Sequence, residues 1–250
     1  MSRTKRRARK QVKRKRASDS DEENESNPKR QKQPETRPLQ NDFDASIATM
    51  DSQLLADLFV RSIERQFRDK TALELEDKYP PTKAFHDTSE FSEPRNLQHL
   101  PLYLEKFGGG KEELMKKVEV ATPHTLIICS SGIRAADVAR AIRVFRTDDS
   151  AIAKLFAKHL KLKDSIEYVK KTKIGFGVGT PARLNDLLNA EAMSLRGLKR
   201  IVIDGSYLDE KKRTIFTMTD LFSPVIDLIN REDIKSRYGD HEDSIQILVF

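Results

Sequence analysis

From residue 125 onward, short unbroken apolar runs alternate with amphipathic stretches of helical length, and this alternation constrains the fold more than any other feature of the chain. A strand with one face in water would carry a polar residue at every second position. Runs such as Leu126-Ile127-Ile128-Cys129 and Ile201-Val202-Ile203 carry none, so both of their faces must be covered. Covered strands joined through helices form a parallel sheet. The expected class is therefore α/β, a doubly wound parallel sheet. Strands are expected over residues 125–129, 166–169, 173–178, 200–204 and 245–250, and helices over 133–145, 152–159, 180–189 and 214–231, the last kinked or split at Pro224. The single cysteine, Cys129, lies inside an apolar run, reads as a small buried hydrophobe and suits a reducing compartment.

Residues 43–120 read as a helical part preceding this alternation. Leu54, Leu55, Leu58, Phe59, Ile63 and Phe67 recur at helical spacing within 52–79, and Pro80-Pro81 ends that segment. A loop-rich stretch over 82–96 has Phe85 and Phe91 as anchors. Short helices over 96–107 and 111–120 are separated by Gly108-Gly109-Gly110.

Residues 1–42 contain almost no large apolar side chains and are expected to be a disordered tail. Ten Lys/Arg and no acid lie between residues 3 and 16, among them Arg6, Arg7, Lys10, Lys13, Arg14, Lys15 and Arg16. An acidic patch at Ser18 to Glu23 follows, then a second basic cluster at Lys29-Arg30-Gln31-Lys32. The clusters fit an import receptor and also an RNA-attracting arm, because the same charges serve both. Ser18 and Ser20, each with acids downstream, fit an acid-directed kinase, and phosphate there would oppose the neighbouring cations. Residues 1–37 carry a net +8 of the chain's +7, which leaves the remainder at −1. The basic character thus belongs to the tail. With 34% charged residues and no apolar run near the ~18–20 residues of a bilayer span, no membrane is expected as a partner. The cationic N-terminus is followed by no hydrophobic segment and does not read as a secretory signal.

Two segments carry the functional signal. The first is Gly177-Val178-Gly179-Thr180-Pro181-Ala182-Arg183-Leu184, and the second is Arg200-Ile201-Val202-Ile203-Asp204-Gly205-Ser206-Tyr207. In order and spacing they resemble the T-P-G-R nucleic-acid motif and the V-L-D-E-A-D nucleotide motif of DEAD-box RNA helicases, so the resemblance implies a RecA-like domain. In that pattern the Asp at position 204 holds Mg²⁺ through water, but Gly205 stands in place of the catalytic Glu and Tyr207 in place of the last Asp. A phosphate loop needs G-x-x-x-x-G-K-[ST] between a strand and a helix. Gly108-Gly109-Gly110-Lys111-Glu112 lacks the spacing and the hydroxyl and reads as a linker between helices. Asp204 is thus expected to be a vestige that caps the following turn, with no catalytic residue, metal, cofactor or small-molecule substrate.

Thr180 sits where a strand gives way to a helix and Pro181 fits the first helical position, so the free N–H groups there suit a backbone phosphate, with Arg183 adding charge. By position, Ser130-Ser131-Gly132-Ile133-Arg134-Ala135 takes the place of the P-T-R-E-L-A motif, making Ser131 and Arg134 further candidates for phosphate contact. In DEAD-box proteins an S-A-T motif and a second RecA-like domain would follow Phe250, so unwinding by this chain alone is not expected.

A basic, acid-interrupted tail joined to one degenerate helicase-like domain resembles the cms-one family of small-subunit ribosome-assembly proteins. The resemblance implies a nucleolar, non-catalytic factor of the early small-subunit precursor, with pre-rRNA and assembly proteins as partners and an import receptor on the tail. Two other readings stay open. One is a weak NTPase completed by a partner, and the other is a protein scaffold whose domain does not touch RNA.

Overall fold

Five strands, β1 (Thr125–Ile128), β2 (Ala151–Leu155), β3 (Ile174–Gly179), β4 (Arg200–Ile203) and β5 (Gln246–Val249), form one fully parallel sheet in the order β2-β3-β1-β4-β5. They come from a computed structural model that describes residues 43–157 and 160–250. The tail candidates Arg6, Arg7, Lys10, Lys13, Arg14, Lys15, Arg16, Ser18 and Ser20 lie outside the described residues. The described residues belong to one compact unit. No helix of the described residues is long and apolar enough to cross a membrane.

The central strands β1, β3 and β4 are buried at every position, as their unbroken apolar runs require. Successive side chains feed opposite layers. Leu126, Ile128, Ile201, Ile203, Ile247 and Val249 enter one core, while Ile127, Cys129, Val202, Leu248 and Phe250 enter the other. Close approach sets the sequence of β3: a Cβ at Gly179 would lie 2.0 Å from the Leu155 carbonyl oxygen, so no larger residue fits beside β2.

The first core is covered by α1 (Ser52–Gln66), started by the Asp51 carboxylate accepting from the Leu54 N–H at 2.8 Å and burying Leu55, Phe59 and Ile63. The capping box of Thr71 and Glu74 opens the short α2 (Ala72–Glu76). The second core is covered by α3 (Leu100–Phe107), α4 (Gly110–Leu114) and α5 (Gly132–Ala141). Gly109, at φ 84°, reverses the chain between α3 and α4, which is the linker role expected of these glycines. Helices α6 (Leu162–Val169), α7 (Pro181–Asn189), α8 (Thr219–Ile229) and α9 (Glu232–Lys235) return to the first core. Pro224 lies inside α8, and its carbonyl accepts from the Asn185 amide of α7 at 2.8 Å.

Two expected elements exchange types. The helix expected over 152–159 begins instead as strand β2, in which Ala153 and Leu155 point inward and Lys154 outward. Ile152, Leu155 and Phe156 happen to sit at helical spacing, and pairing with the distant β3 overrides it. The strand expected over 166–169 belongs to α6. Its Ile, Tyr and Val have strand preference, but Ile166 and Val169, three positions apart, turn one helical face to the core with the buried Ser165.

The winding places a crevice. After β1 the chain leaves through α5 toward the second core, and after the neighbouring β4 it leaves toward the first. Ligands of open parallel sheets bind where adjacent strands send their connections to opposite faces. In this chain β1 meets that condition with both neighbours, since β3 also leaves toward the first core through α7, and the side chains described next border the crevice between the C-terminal ends of β1 and β4.

Candidate functional site

Asp204 is the first residue beyond β4, and its N–H donates to the Ile128 carbonyl at 3.0 Å, extending the sheet by one step. On the other wall, Ser131 caps α5 by accepting from the Arg134 N–H at 3.2 Å, which fixes Arg134 on the first turn. The Arg134 guanidinium then crosses the crevice. Its Nε donates to Asp204 Oδ2 at 2.7 Å and its Nη2 to Oδ1 at 2.8 Å, a bidentate ion pair with Arg134 7% and Asp204 2% exposed. The Tyr207 ring lies over the guanidinium, 4.2 Å from its carbon to the ring centroid. Burial pulls the guanidinium pKa down, and the charge and hydrogen bonds of Asp204 outweigh that, so it is raised. Burial also pushes up the Tyr207 phenol, and burial together with the Asp204 charge pushes the Cys129 thiol well above its usual range. Cys129 is therefore an inert core residue.

Asp204 was expected to cap the next turn, but both of its carboxylate oxygens serve Arg134. A divalent cation would have to displace Arg134, so the donor set does not fit a resident metal. The position beside it is closed as well. A Cβ on Gly205 would meet Val249 Cγ1 at 2.6 Å and Phe216 Cε2 at 2.9 Å, leaving no space for a carboxylate side chain. Further strapping comes from the segment before α1. The Asp44 N–H donates to the Ser206 carbonyl at 2.7 Å, and Phe43 bridges antiparallel to Tyr207.

The remaining sequence candidates separate. Thr180 follows β3 and precedes α7, with Pro181 on the first turn; Pro181 is buried, and the half-buried Thr180 side chain makes no capping bond. Arg183 is turned inward and is 6% exposed. Its Nη1 donates to Ser165 Oγ at 2.7 Å and its Nη2 to the Leu160 carbonyl at 3.0 Å, so it ties α7 to α6. The outward, phosphate-ready guanidinium expected of both Arg134 and Arg183 is thus replaced by internal pairing. Ser131, Arg134 and Asp204 come together at one crevice, Thr180 and Pro181 stand at the adjacent strand end, and Arg183 points elsewhere.

Sequence reasoning missed Arg95, which is 1% exposed and closes the end of β5. It donates to the Val249 and Ala48 carbonyls and to Thr88, over the ring of Tyr103, whose hydroxyl also donates to the Val249 carbonyl. Burial lowers its pKa. No motif marks an arginine in a loop after Pro94, so nothing in the linear pattern could have singled it out.

A family model described as "CMS1: U3-containing 90S pre-ribosomal complex subunit" matches residues 1–250. The chain is 39% identical over 231 residues to Protein CMS1 of Chaetomium thermophilum, covering 88% of this chain and 92% of that protein. It is 32% identical over 204 residues to Protein cms1 of Schizosaccharomyces pombe, covering 82% and 72%. Human Protein CMSS1 is 36% identical over 104 residues, covering 42% and 37%. Among solved structures, the yeast DEAD-box splicing factor Prp28 superposes with a TM-score of 0.39 at 17% identity, covering 51% of this chain and 27% of that one. A DEAD box protein from Methanococcus jannaschii superposes with a TM-score of 0.36 at 16% identity, covering 61% and 36%. With the family matched along the whole sequence and two fungal relatives matched along most of theirs, the chain belongs to the CMS1 family of U3-containing 90S pre-ribosomal complex subunits, and its role lies in ribosome biogenesis.

Proposed function

We propose that this protein is a non-catalytic subunit of the early small-subunit precursor, acting in the nucleolus by holding pre-ribosomal RNA and assembly proteins together. The observation that carries the non-catalytic part is the Arg134–Asp204 pair under Tyr207, which fills the ligand crevice with the protein's own side chains. An NTPase completed by a partner would first have to break this pair and would still find no space at Gly205 for a carboxylate. Attachment to RNA draws on the tail cations, Arg6, Arg7, Lys10, Lys13, Arg14, Lys15 and Arg16, which also serve the import receptor. The helix starts at Ser131 and at Thr180-Pro181 add backbone N–H groups for phosphate. One observation favours a second reading, in which these turns dock protein: with Arg134 and Arg183 turned inward, they offer hydroxyls and backbone in place of charge.

The test has two parts on the full-length protein. Equilibrium binding of Mg·ATP is expected to show no saturation at millimolar nucleotide, and saturable binding with hydrolysis would sink the non-catalytic reading. Crosslinking in cells by ultraviolet light is expected to recover pre-ribosomal RNA. Recovery of assembly proteins without RNA would establish the docking reading instead.

A further inference from the structure

The near-neutral charge of the body conceals a strong internal asymmetry. Residues 140–173 hold ten Lys/Arg against four Asp/Glu, a net +6, which leaves the rest of residues 38–250 at −7. The fold gathers the described residues of this segment at one place. Strand β2 is an edge strand paired only with β3, the turn over residues 142–145 lies on one side of it and α6 on the other. The opposite edge is covered, since Phe85 bridges to Ile247 of β5 and the His86 N–H donates to the Ile247 carbonyl at 2.9 Å.

We infer that the β2 edge, with Arg143, Arg146, Lys154, Lys163, Lys170 and Lys171, is an RNA-binding surface of the folded body; this rests on the RNA-holding role proposed above and locates it. All six side chains are exposed, and none forms an ion pair with a described residue. Two of the five nearby acids are already paired. Asp149 accepts from Lys173 and Asp137 from Arg140, leaving Asp148, Asp164 and Glu167 against the six cations. An added protein strand is disfavoured, because Lys154 points outward from the middle of the short edge. A flexible polyanion suits cations spread over both layers and the strand between them. A second observation points to nucleic acid. Tyr168 on α6 is 45% exposed, the one exposed Phe or Tyr ring among the described residues, and Lys171 follows it in the turn that closes α6, its N–H donating to the Tyr168 carbonyl at 3.2 Å. A ring flanked by lysines can stack on a base while the lysines hold the flanking phosphates.

The experiment uses the full chain with the ten tail Lys/Arg of residues 3–16 changed to Gln, and a single-stranded RNA of about 20 nucleotides of mixed sequence. Affinity is measured by fluorescence anisotropy from 50 to 300 mM salt. This protein is expected to bind, and adding K154E, K163E, K170E and K171E weakens binding at least about tenfold and removes roughly two to three units of the log–log salt slope. Reversing Arg61 and Arg65 of α1, Arg68 just beyond it and the exposed Lys83 to Glu makes the same change of charge elsewhere and is the control, expected to shift affinity less than about threefold. Tyr168→Ala weakens binding about threefold or more with an unchanged salt slope. Circular dichroism and thermal unfolding confirm that each variant is folded. Equal effects of the edge and control reversals overturn the inference, as does equal binding to polyglutamate, which would make the partner an acidic protein. Loss of all RNA binding on tail neutralisation overturns the inference and leaves the RNA role to the tail, whereas failure of the unaltered protein to bind overturns the RNA role itself.

Discussion

Arg134 and Asp204 stand 70 positions apart in sequence and meet as a buried bidentate pair, so the cost of losing either depends on what is left behind. Arg134→Ala or Asp204→Ala leaves an unpaired charge in the crevice and is expected to cost about 3–5 kcal/mol. Arg134→Met combined with Asp204→Leu removes both charges and keeps the volume, so it costs far less than the sum of the single changes. Urea unfolding of the four proteins checks this, and a double variant as unstable as that sum would remove the ion pair as the explanation. His124 gives a second case. Burial first, and the Arg200 charge second, hold its pKa down at about 4, and its Nδ1 lies 2.7 Å from Thr125 Oγ1. The unfolded chain takes up this proton near pH 6.5 and the folded chain only near 4, so stability falls as pH drops through that window and the loss levels off below it. Between pH 7 and 5 the loss is about 2 kcal/mol, and His124→Gln should flatten that stretch of the stability curve. Linear sequence pointed to Arg134 and to Asp204 separately and gave each a different task, because nothing in the string records that their strand and helix face one another.

At the scale of elements, legibility followed the length and locality of the signal. The helix over 181–189 was visible because Thr180-Pro181 opens it and Leu184, Leu187 and Leu188 repeat at helical spacing. The central strands were visible because an unbroken apolar run of four has no other use at that point in a βα alternation. β2 and α6 were exchanged because each is short, and β2 is decided by pairing with residues some 20 positions later. What holds α6 in place was equally hidden. Arg183 reaches from α7 to Ser165 and to the Leu160 carbonyl, so its job is to dock α6 on its neighbour. Arg183→Ala is expected to destabilise the protein by about 1–3 kcal/mol. Native-state hydrogen exchange should accelerate at α6 amides while those of β1 and β3 stay at the global rate. Uniform acceleration across the sheet would show that Arg183 serves the whole core, not one helix.

The whole molecule divides its charge into three regions of sequence that a total of +7 does not reveal: a tail at +8, residues 140–173 at +6 and the rest of the body at −7. The tail was legible because its charges are consecutive. The edge was not, because it became one surface only when residues 151–155 formed an outer strand with a helix on one side and a turn on the other, and that strand had been read as a helix. Two basic regions on one chain bind a polyanion together more tightly than either alone, since the second contact forms at the high local concentration set by the first. If both regions hold RNA as proposed, charge added to the tail acts on the combined grip. Phosphate on Ser18 and Ser20 brings about −1.5 to −2 each, lowering the tail from +8 to roughly +4 or +5. Full-length protein phosphorylated at both serines is expected to bind RNA more weakly and to lose roughly one to three units of salt slope. With the ten tail cations of residues 3–16 already changed to Gln, the same phosphates should have a much smaller effect, because the partner of their charge is gone. An equal loss of affinity in both backgrounds would mean that the phosphates repel RNA at the folded body, and that tail and edge do not act as separate contacts.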